Sequence, residues 1–168
     1  RWRIRMFGGL SLERDGQSVL TFRTRKDDLV LAYLALAPAT THLRTTVVSV
    51  LWPHAESARA RKILSFNLYS LKGRLESVGL HTPLIETRTT LQLSPDISTD
   101  VQEFVELVQR AEGLGAGQAD ERTRLASQAL HLYGEGLLPS YRQPWLDQHR
   151  IRLARFARRA TGVREVFA

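Results

Sequence analysis

Hydrophobic and polar residues alternate along the first part of the chain. Trp2, Ile4 and Met6 alternate with arginines, and the leucines of "GLSLER" alternate with polar residues in the same way. A period of two is the pattern of a half-buried strand. Asp15-Gly16 then forms a dipeptide typical of a tight hairpin turn, and "SVLTF" follows as a second run of strand-forming residues. The sequence therefore predicts a small antiparallel sheet at the start of the chain.

Helical spacing of apolar residues replaces this alternation from Arg25 onward. Three segments show it: "RKDDLVLAYLALAP", "RTTVVSVLW" and "ARARKILSFNLYSLKGRLESVG", which end near Pro38, Pro53 and Gly79 respectively. The next segment, "LIETRTTLQL", is β-rich at both ends and polar in its middle, which predicts a hairpin with its tip near Arg88. Strands, three helices and a hairpin, in that order, predict an α+β winged helix-turn-helix domain over residues 1–94.

The second half of the chain has helical patterns only. Residues 95–99 are predicted to be a short linker, and residues 100–168 an all-α domain. Thr99 or Asp100 is the expected N-cap of its first helix, with Gln102 or Glu103 completing a capping box. A second helix is predicted from about Asp120 to Tyr133, and a third contains Leu146, Leu153, Phe156 and Ala160. Antiparallel helix pairs lined by small residues are the way in which helical repeats stack, although the copies here define no period. We expect an all-α tetratricopeptide-like helical domain.

The positive charge of the chain lies in its first half. The formal net charge is +7 at pH 7; residues 1–94 contain 14 Lys and Arg against 7 Asp and Glu, whereas residues 95–168 contain 10 of each. A basic segment of this kind favours a polyanionic partner such as nucleic acid. The neutral second half suits a surface that faces protein.

The third helix has an unusual outer side. Steps of about 100° per residue put Leu68, Leu71 and Leu75 within about 40° of Leu64, so this side is expected to face the core. The same steps put Lys62, Phe66 and Tyr69 on the opposite side, with Ser65, Ser70 and Lys72 on its flanks. A recognition helix needs this mixture, because cations hold phosphates, hydroxyl groups reach base edges and an apolar side chain contacts the thymine methyl group. The alternative is that Phe66 and Tyr69 pack beneath the hairpin or against a neighbouring helix.

The sequence offers no catalytic constellation. The five histidines are scattered, cysteine is absent, and there is no P-loop, G-x-S-x-G or G-x-G-x-x-G motif. We therefore expect no enzyme, no metal site and no cofactor. The absence of cysteine suits the cytoplasm, and no apolar run reaches the roughly 18 residues that would span a membrane. Because the chain begins at Arg1 and has no signal-peptide stretch, we expect it to be a segment of a longer protein.

A family resemblance extends over nearly the whole chain. "LAYLALAPATTHLRTTVVSVLWPHAESARARKILSFNLYSLKGRL" resembles the helices, "LWP" turn and recognition helix of OmpR-type winged helices. "DVQEFVELVQRA", "ALHLYGEGLLP" and "PWLDQHRIRL" resemble the bacterial transcriptional activator domain that follows such a module in SARP-type regulators. The resemblance implies DNA-contacting roles for the residues Lys62, Asn67, Tyr69, Ser70, Lys72 and Arg88. The chain departs from the family at Ser70, where arginine is common, at Phe66, where valine is usual, and at Thr90-Leu91, where Gly-Tyr is usual.

The predicted function follows from the charge, the third helix and the resemblance together. We expect a sequence-specific DNA-binding transcription activator with its third helix in the major groove and its hairpin on the backbone or in the minor groove. The candidate DNA-contacting residues are Lys62, Ser65, Phe66, Asn67, Tyr69, Ser70, Lys72 and Arg88, together with Arg44 and Arg61 from the same basic half. Duplex DNA carrying direct repeats, RNA polymerase and a second copy of the chain are the expected partners. The alternatives are a winged helix that serves as a protein-interaction module and, ranked below it, an RNA-binding protein.

Overall fold

The elements follow the predicted order, with two additional strands. The computed structural model describes residues 1–23 and 26–166 of the 168. Its elements are β1 (Trp2–Arg5), β2 (Ser11–Arg14), β3 (Gln17–Thr21), α1 (Lys26–Ala35), β4 (His42–Leu43), α2 (Arg44–Leu51), α3 (Ser57–Ser77), β5 (Leu84–Glu86), β6 (Thr90–Leu93), β7 (Ile97–Thr99), α4 (Asp100–Gly113), α5 (Ala119–Tyr133) and α6 (Asp147–Val166). Short 3-10 helices occupy Ala116–Gln118 and Pro144–Leu146. Arg25, where the first predicted helix begins, and residues 167–168, where the second predicted domain ends, lie outside the described residues.

The chain forms two compact units. Residues 1–4 and 10–98 form the first, here called the α+β unit, and residues 5–9 join the chain from Thr99 onward in the second, the helical unit. The pairing of residues 5–9 with the helices differs from the predicted division at residues 94 and 100. Its physical basis is the buried Asp100, whose carboxylate accepts hydrogen bonds from the backbone N–H groups of Met6 and Phe7 at 2.9–3.0 Å.

The α+β unit begins with a four-stranded sheet of order β3-β2-β1-β7. β2 and β3 are antiparallel and joined by Asp15-Gly16, both with positive φ (51° and 83°), as a type I′ hairpin turn requires. β7 lies within the segment that the sequence predicted as a linker. It pairs with β1 at the edge of the sheet, and its Ile97 side chain is buried.

Three helices and a second sheet complete the α+β unit. α1 packs against α2 and α3, and the leucine side of α3, with Leu64, Leu68, Leu71 and Leu75, is buried as the spacing predicts. The second sheet has the order β4-β6-β5, so β6 is the central strand of a hairpin extended by β4. β4 was not predicted. It has two residues, His42 and Leu43, which pair with Leu91 and Thr90, and two residues show no periodicity.

The helical unit is built on α4, α5 and α6, which pack against one another in every pairwise combination. Thr99 caps α4 and exchanges hydrogen bonds with Gln102, which confirms the predicted capping box. Phe7 and Tyr133 lie with their ring centroids 5.2 and 5.3 Å from that of Phe104, within the core of this unit. Along the described part of the chain, no helix is both long and apolar enough to cross a lipid bilayer.

Candidate nucleic-acid interface

The outer face of α3 exposes two aromatic rings. Phe66 is 75% exposed and Tyr69 is 79% exposed, although Leu64 and Leu68 on the other side of the same helix are almost fully buried. The alternative in which both rings pack beneath the hairpin is therefore wrong for this structure. An isolated protein exposes such large apolar groups at a cost in solvation, which is typical of surfaces that bind a partner.

Cations and a hydroxyl group surround the two rings. A shallow open groove of about 580 Å³ is lined by the residues Ala58, Arg61, Lys62, Ser65, Phe66 and Tyr69. Arg61, Lys62 and Ser65 are all exposed. We call this set the outer face of α3. It combines positive charge for phosphates with a hydroxyl group and apolar rings for base edges, which is the chemistry expected of a helix in the major groove.

A second groove continues along α3 on the other side of Tyr69. Its volume is about 630 Å³, and its lining includes Ser70, Lys72 and Arg74. Of the candidate residues, Ser70 is half-buried and donates a hydrogen bond from Oγ to Asp27 Oδ2 at 3.1 Å. Ser70 therefore lines the groove and also forms a hydrogen bond with a buried residue of the α+β unit.

Arg74 forms an ion cluster that the sequence did not reveal. Its Nη1 atom lies 2.9 Å from Asp27 Oδ2 and 2.7 Å from Asp28 Oδ1, and both carboxylates are buried at the start of α1. Burial lowers the pKa of the Arg74 guanidinium, but the hydrogen bonds and charges of Asp28 and Asp27 outweigh it and raise the pKa. The guanidinium also lies 4.7 Å above the ring of Phe22. The signal in the sequence is two adjacent acids at a helix start, a position where the helix dipole also favours acids without any partner.

Lys72 and Arg44 share one acidic partner on the hairpin. Glu86 Oε2 lies 2.7 Å from Lys72 Nζ, and Glu86 Oε1 lies 3.2 Å from Arg44 Nη2. The structure thus brings together two candidate residues that are distant in sequence, through a glutamate that the sequence did not single out. A single acid on a hairpin strand gives no sequence signal for partners on two helices.

The tip of the hairpin presents Arg88 to solvent. Thr87 Oγ1 accepts hydrogen bonds from the backbone N–H groups of Thr89 at 3.3 Å and Thr90 at 3.0 Å, which closes the turn around Arg88. Arg44 holds the same turn from outside, because its backbone N–H donates to Thr89 O at 2.9 Å. The exposed Arg88 is therefore carried on an ordered tip.

Asn67 does not join the other candidate residues. It is half-buried, lines neither groove, and its Nδ2 atom is buried without a hydrogen-bond partner. Its place on the flank of α3 agrees with helical geometry, which puts it about 60° from the leucine side. Within residues 1–23 and 26–166, no three His, Cys, Asp or Glu side chains are grouped as metal ligands.

Comparison with known proteins gives a likeness of fold. No protein-family model matches the chain, and no curated protein matches it. A solved structure that does match is Mycobacterium tuberculosis EmbR in complex with a low-affinity phosphopeptide, with a TM-score of 0.84 and 22% sequence identity. The match covers 98% of this chain and 44% of the EmbR chain, so this chain spans less than half the length of that protein. At this identity the likeness shows the fold alone, which is α+β.

Proposed function

We propose that this chain is the DNA-binding segment of a SARP-type transcription activator. The observation that carries the proposal is the outer face of α3, where Phe66 and Tyr69 are exposed among Arg61 and Lys62. Two large aromatic rings exposed to water gain nothing in solvation on a helix that contacts no partner. On a helix in the major groove, such rings contact thymine methyl groups and the cations contact phosphates. The location of the excess positive charge in residues 1–94 supports a polyanionic partner for this unit.

The hairpin of β5 and β6 acts in this proposal as the wing. Arg88 at its tip contacts the phosphate backbone or the minor groove. Arg44, which is hydrogen-bonded to the same turn, contributes a second positive charge. Along α3, Lys62, Ser65, Phe66 and Tyr69 contact the major groove, with Lys72 on an adjacent phosphate and Ser70 at the edge. Asn67 has the weakest support of the set, because it lies outside both grooves.

The helical unit serves assembly in this proposal. SARP-type regulators combine a winged helix with a helical activator domain, and the SARP-like fold supports the same combination here. Its roles would be dimerisation, response to an effector or contact with RNA polymerase. The equal numbers of acidic and basic residues in residues 95–168 suit a surface that binds protein.

A protein-interaction role is the second candidate function. The EmbR structure contains a phosphopeptide, so that protein binds a peptide as well as sharing this fold. In the present chain the exposed rings of α3 would then contact a protein partner. Only the DNA-binding function predicts that the chain retains duplex DNA in a filter-binding assay at moderate salt.

The test of the proposed function is footprinting of the chain on the DNA upstream of its own gene, after filter binding has measured its affinity for that DNA. We expect protection of tandem direct repeats, since SARP-type regulators commonly recognise such repeats. Failure to retain any duplex at low salt would overturn the DNA-binding function and favour the protein-interaction role. Protection of an inverted repeat would contradict the SARP-type mode of assembly.

A further inference from the structure

Glu86 lies between two of the cations that the proposed function assigns to DNA. Its carboxylate bridges Lys72 on α3 and Arg44 at the start of α2, with separations of 2.7 and 3.2 Å. The side chains of Lys72, Glu86 and Arg44 are 34%, 27% and 23% exposed respectively. Glu86 therefore cancels positive charge at the junction of the hairpin and α3.

The pKa of Glu86 reflects this position. Burial would raise the pKa, but the hydrogen bonds and charges of Lys72 and Arg44 outweigh burial and lower the pKa below its usual value. Glu86 is thus ionised at neutral pH and competes with any phosphate for the same two cations. Partly exposed ion pairs are weak, so a phosphate group can take the place of the carboxylate.

Arg44 also connects Glu86 to the geometry of the hairpin. Its Nε atom donates to Thr87 O at 3.1 Å, in addition to the contact of its backbone N–H with Thr89 O. The ion triad therefore joins α2, α3 and the hairpin in one network. Glu86 is thus linked through Arg44 to the turn that carries the hairpin tip.

We infer that Glu86 is a specificity-determining residue that acts as a charge latch. This inference rests on the proposed function. In the free protein Glu86 occupies Lys72 and Arg44, which lowers affinity for every polyanion. Random DNA is bound almost wholly through phosphates, so it loses the largest share of its binding free energy to this competition. Operator DNA retains its base contacts with α3 and benefits from a fixed hairpin, so the latch raises the ratio of operator to random affinity.

The latch is tested by Glu86→Gln in the full chain, which keeps the size of the side chain and removes its charge. The matched control is Asp96→Asn, which changes net charge equally at an exposed residue with no ion pair among the described residues. Affinity for random duplex, for the footprinted operator and for heparin is measured over a range of salt concentrations. For Glu86→Gln we expect several-fold tighter binding to random duplex and later elution from heparin. Its salt dependence should steepen by about one to two units, one for each released cation that reaches a phosphate.

The operator should gain less affinity than random duplex, so the specificity ratio should fall. Asp96→Asn should give only the small, uniform gain that follows from net charge. In the Glu86→Gln background, Lys72→Gln should remove about one unit of the added salt dependence, because Lys72 supplies one of the released charges. If Glu86→Gln does not fold, Glu86→Asp, whose shorter carboxylate reaches the two cations less well, should change binding in the same direction.

Two results would overturn the latch. If Glu86→Gln and Asp96→Asn gave equal affinities for random duplex and for heparin, Glu86 would not be competing with polyanions for Lys72 and Arg44. Weaker binding of Glu86→Gln to both probes would show that Glu86 serves only as a structural support. Should the unmodified chain retain no duplex DNA, the proposed function fails, and the heparin measurement still decides whether the latch exists.

Discussion

A single side chain, Phe66, allows a binding role to be distinguished from a packing role. Because the ring is 75% exposed, Phe66→Ala leaves no cavity and should not change the melting temperature. If the ring lies against a base, affinity for the operator should fall by roughly 1–3 kcal/mol, the usual worth of a specific base contact. Affinity for random DNA should barely change, because phosphates dominate it. Filter binding and thermal melting on the same variant measure both quantities.

Leu64→Ala is the control on the same helix. Leu64 is 1% exposed, so its truncation should destabilise the protein by about 2–5 kcal/mol through the cavity that it leaves. A Phe66→Ala protein that melted early with its operator preference intact would contradict the groove assignment.

His149 gives the helical unit a pH dependence. Burial, with the nearby charge of Arg152, lowers the pKa of this half-buried imidazole below its ordinary value of 6.5. The unfolded chain then binds a proton more readily than the folded chain, so stability is greatest above pH 6.5 and decreases as the pH falls from 6.5 toward the lower folded-state pKa. His149→Gln should flatten this decrease in melts measured between neutral and mildly acidic pH. An undiminished decrease in the His149→Gln protein would contradict the burial argument.

Residue positions on one helix could be predicted, whereas their distant partners could not. The repeat of about 100° per residue placed Phe66 outward and Leu64 inward because both consequences are local to α3. The partner of Ser70 is Asp27, which is 43 residues away, and only the packing of α1 against α3 brings them together. Glu86 and Arg44 are likewise 42 residues apart in sequence, and only the fold brings the hairpin strand next to the start of α2.

Among the secondary-structure elements, α1 and α3 are joined by the ion pairs of Arg74 with Asp27 and Asp28. Arg74→Ala would remove the guanidinium that lies within 2.9 Å of the buried carboxylates of Asp27 and Asp28, which should cost about 2–4 kcal/mol of unfolding free energy. Lys72→Ala, two residues away, removes a more exposed pair and should cost less than about 1 kcal/mol. Chemical denaturation of the two variants measures the contrast. Equal losses would mean that the Arg74 cluster contributes no more than a surface pair.

The hairpin tip makes a separate prediction for Arg88. Arg88→Ala should weaken binding to all duplexes similarly and reduce the salt dependence by about one unit, as the loss of one phosphate contact does. Arg88→Lys keeps the charge and should keep the salt dependence. An unchanged slope in Arg88→Ala, measured by filter binding over a range of salt, would mean that the tip points away from the DNA.

Elements with a periodic pattern were predicted, and those without one were not. The three helices of the α+β unit have enough residues for a period to show, and the β5–β6 hairpin was predicted from its β-rich ends and polar middle. β4 and β7 have two and three residues, and they become strands only because β6 and β1 offer free edges. Residues 5–9 follow the same rule, since their place with the helices depends on hydrogen bonds to Asp100, more than 90 residues away.

The distribution of charge over the whole molecule tests the division of labour between the two units. Arg61 and Lys62 on α3, and Arg155 and Arg158 on α6, are two pairs of exposed cations on helix surfaces. Replacing either pair with glutamine removes two positive charges, so an account based on net charge alone predicts equal effects. We expect the α3 pair to lower the salt dependence of duplex binding by up to about two units and the α6 pair to leave it almost unchanged. Filter binding of both double variants to one random duplex makes the comparison, and thermal melting confirms that each is folded. If loss of the α6 pair reduced the salt dependence as much as loss of the α3 pair, the helical unit would also contact DNA. The assignment of DNA binding to the α+β unit alone would then be wrong.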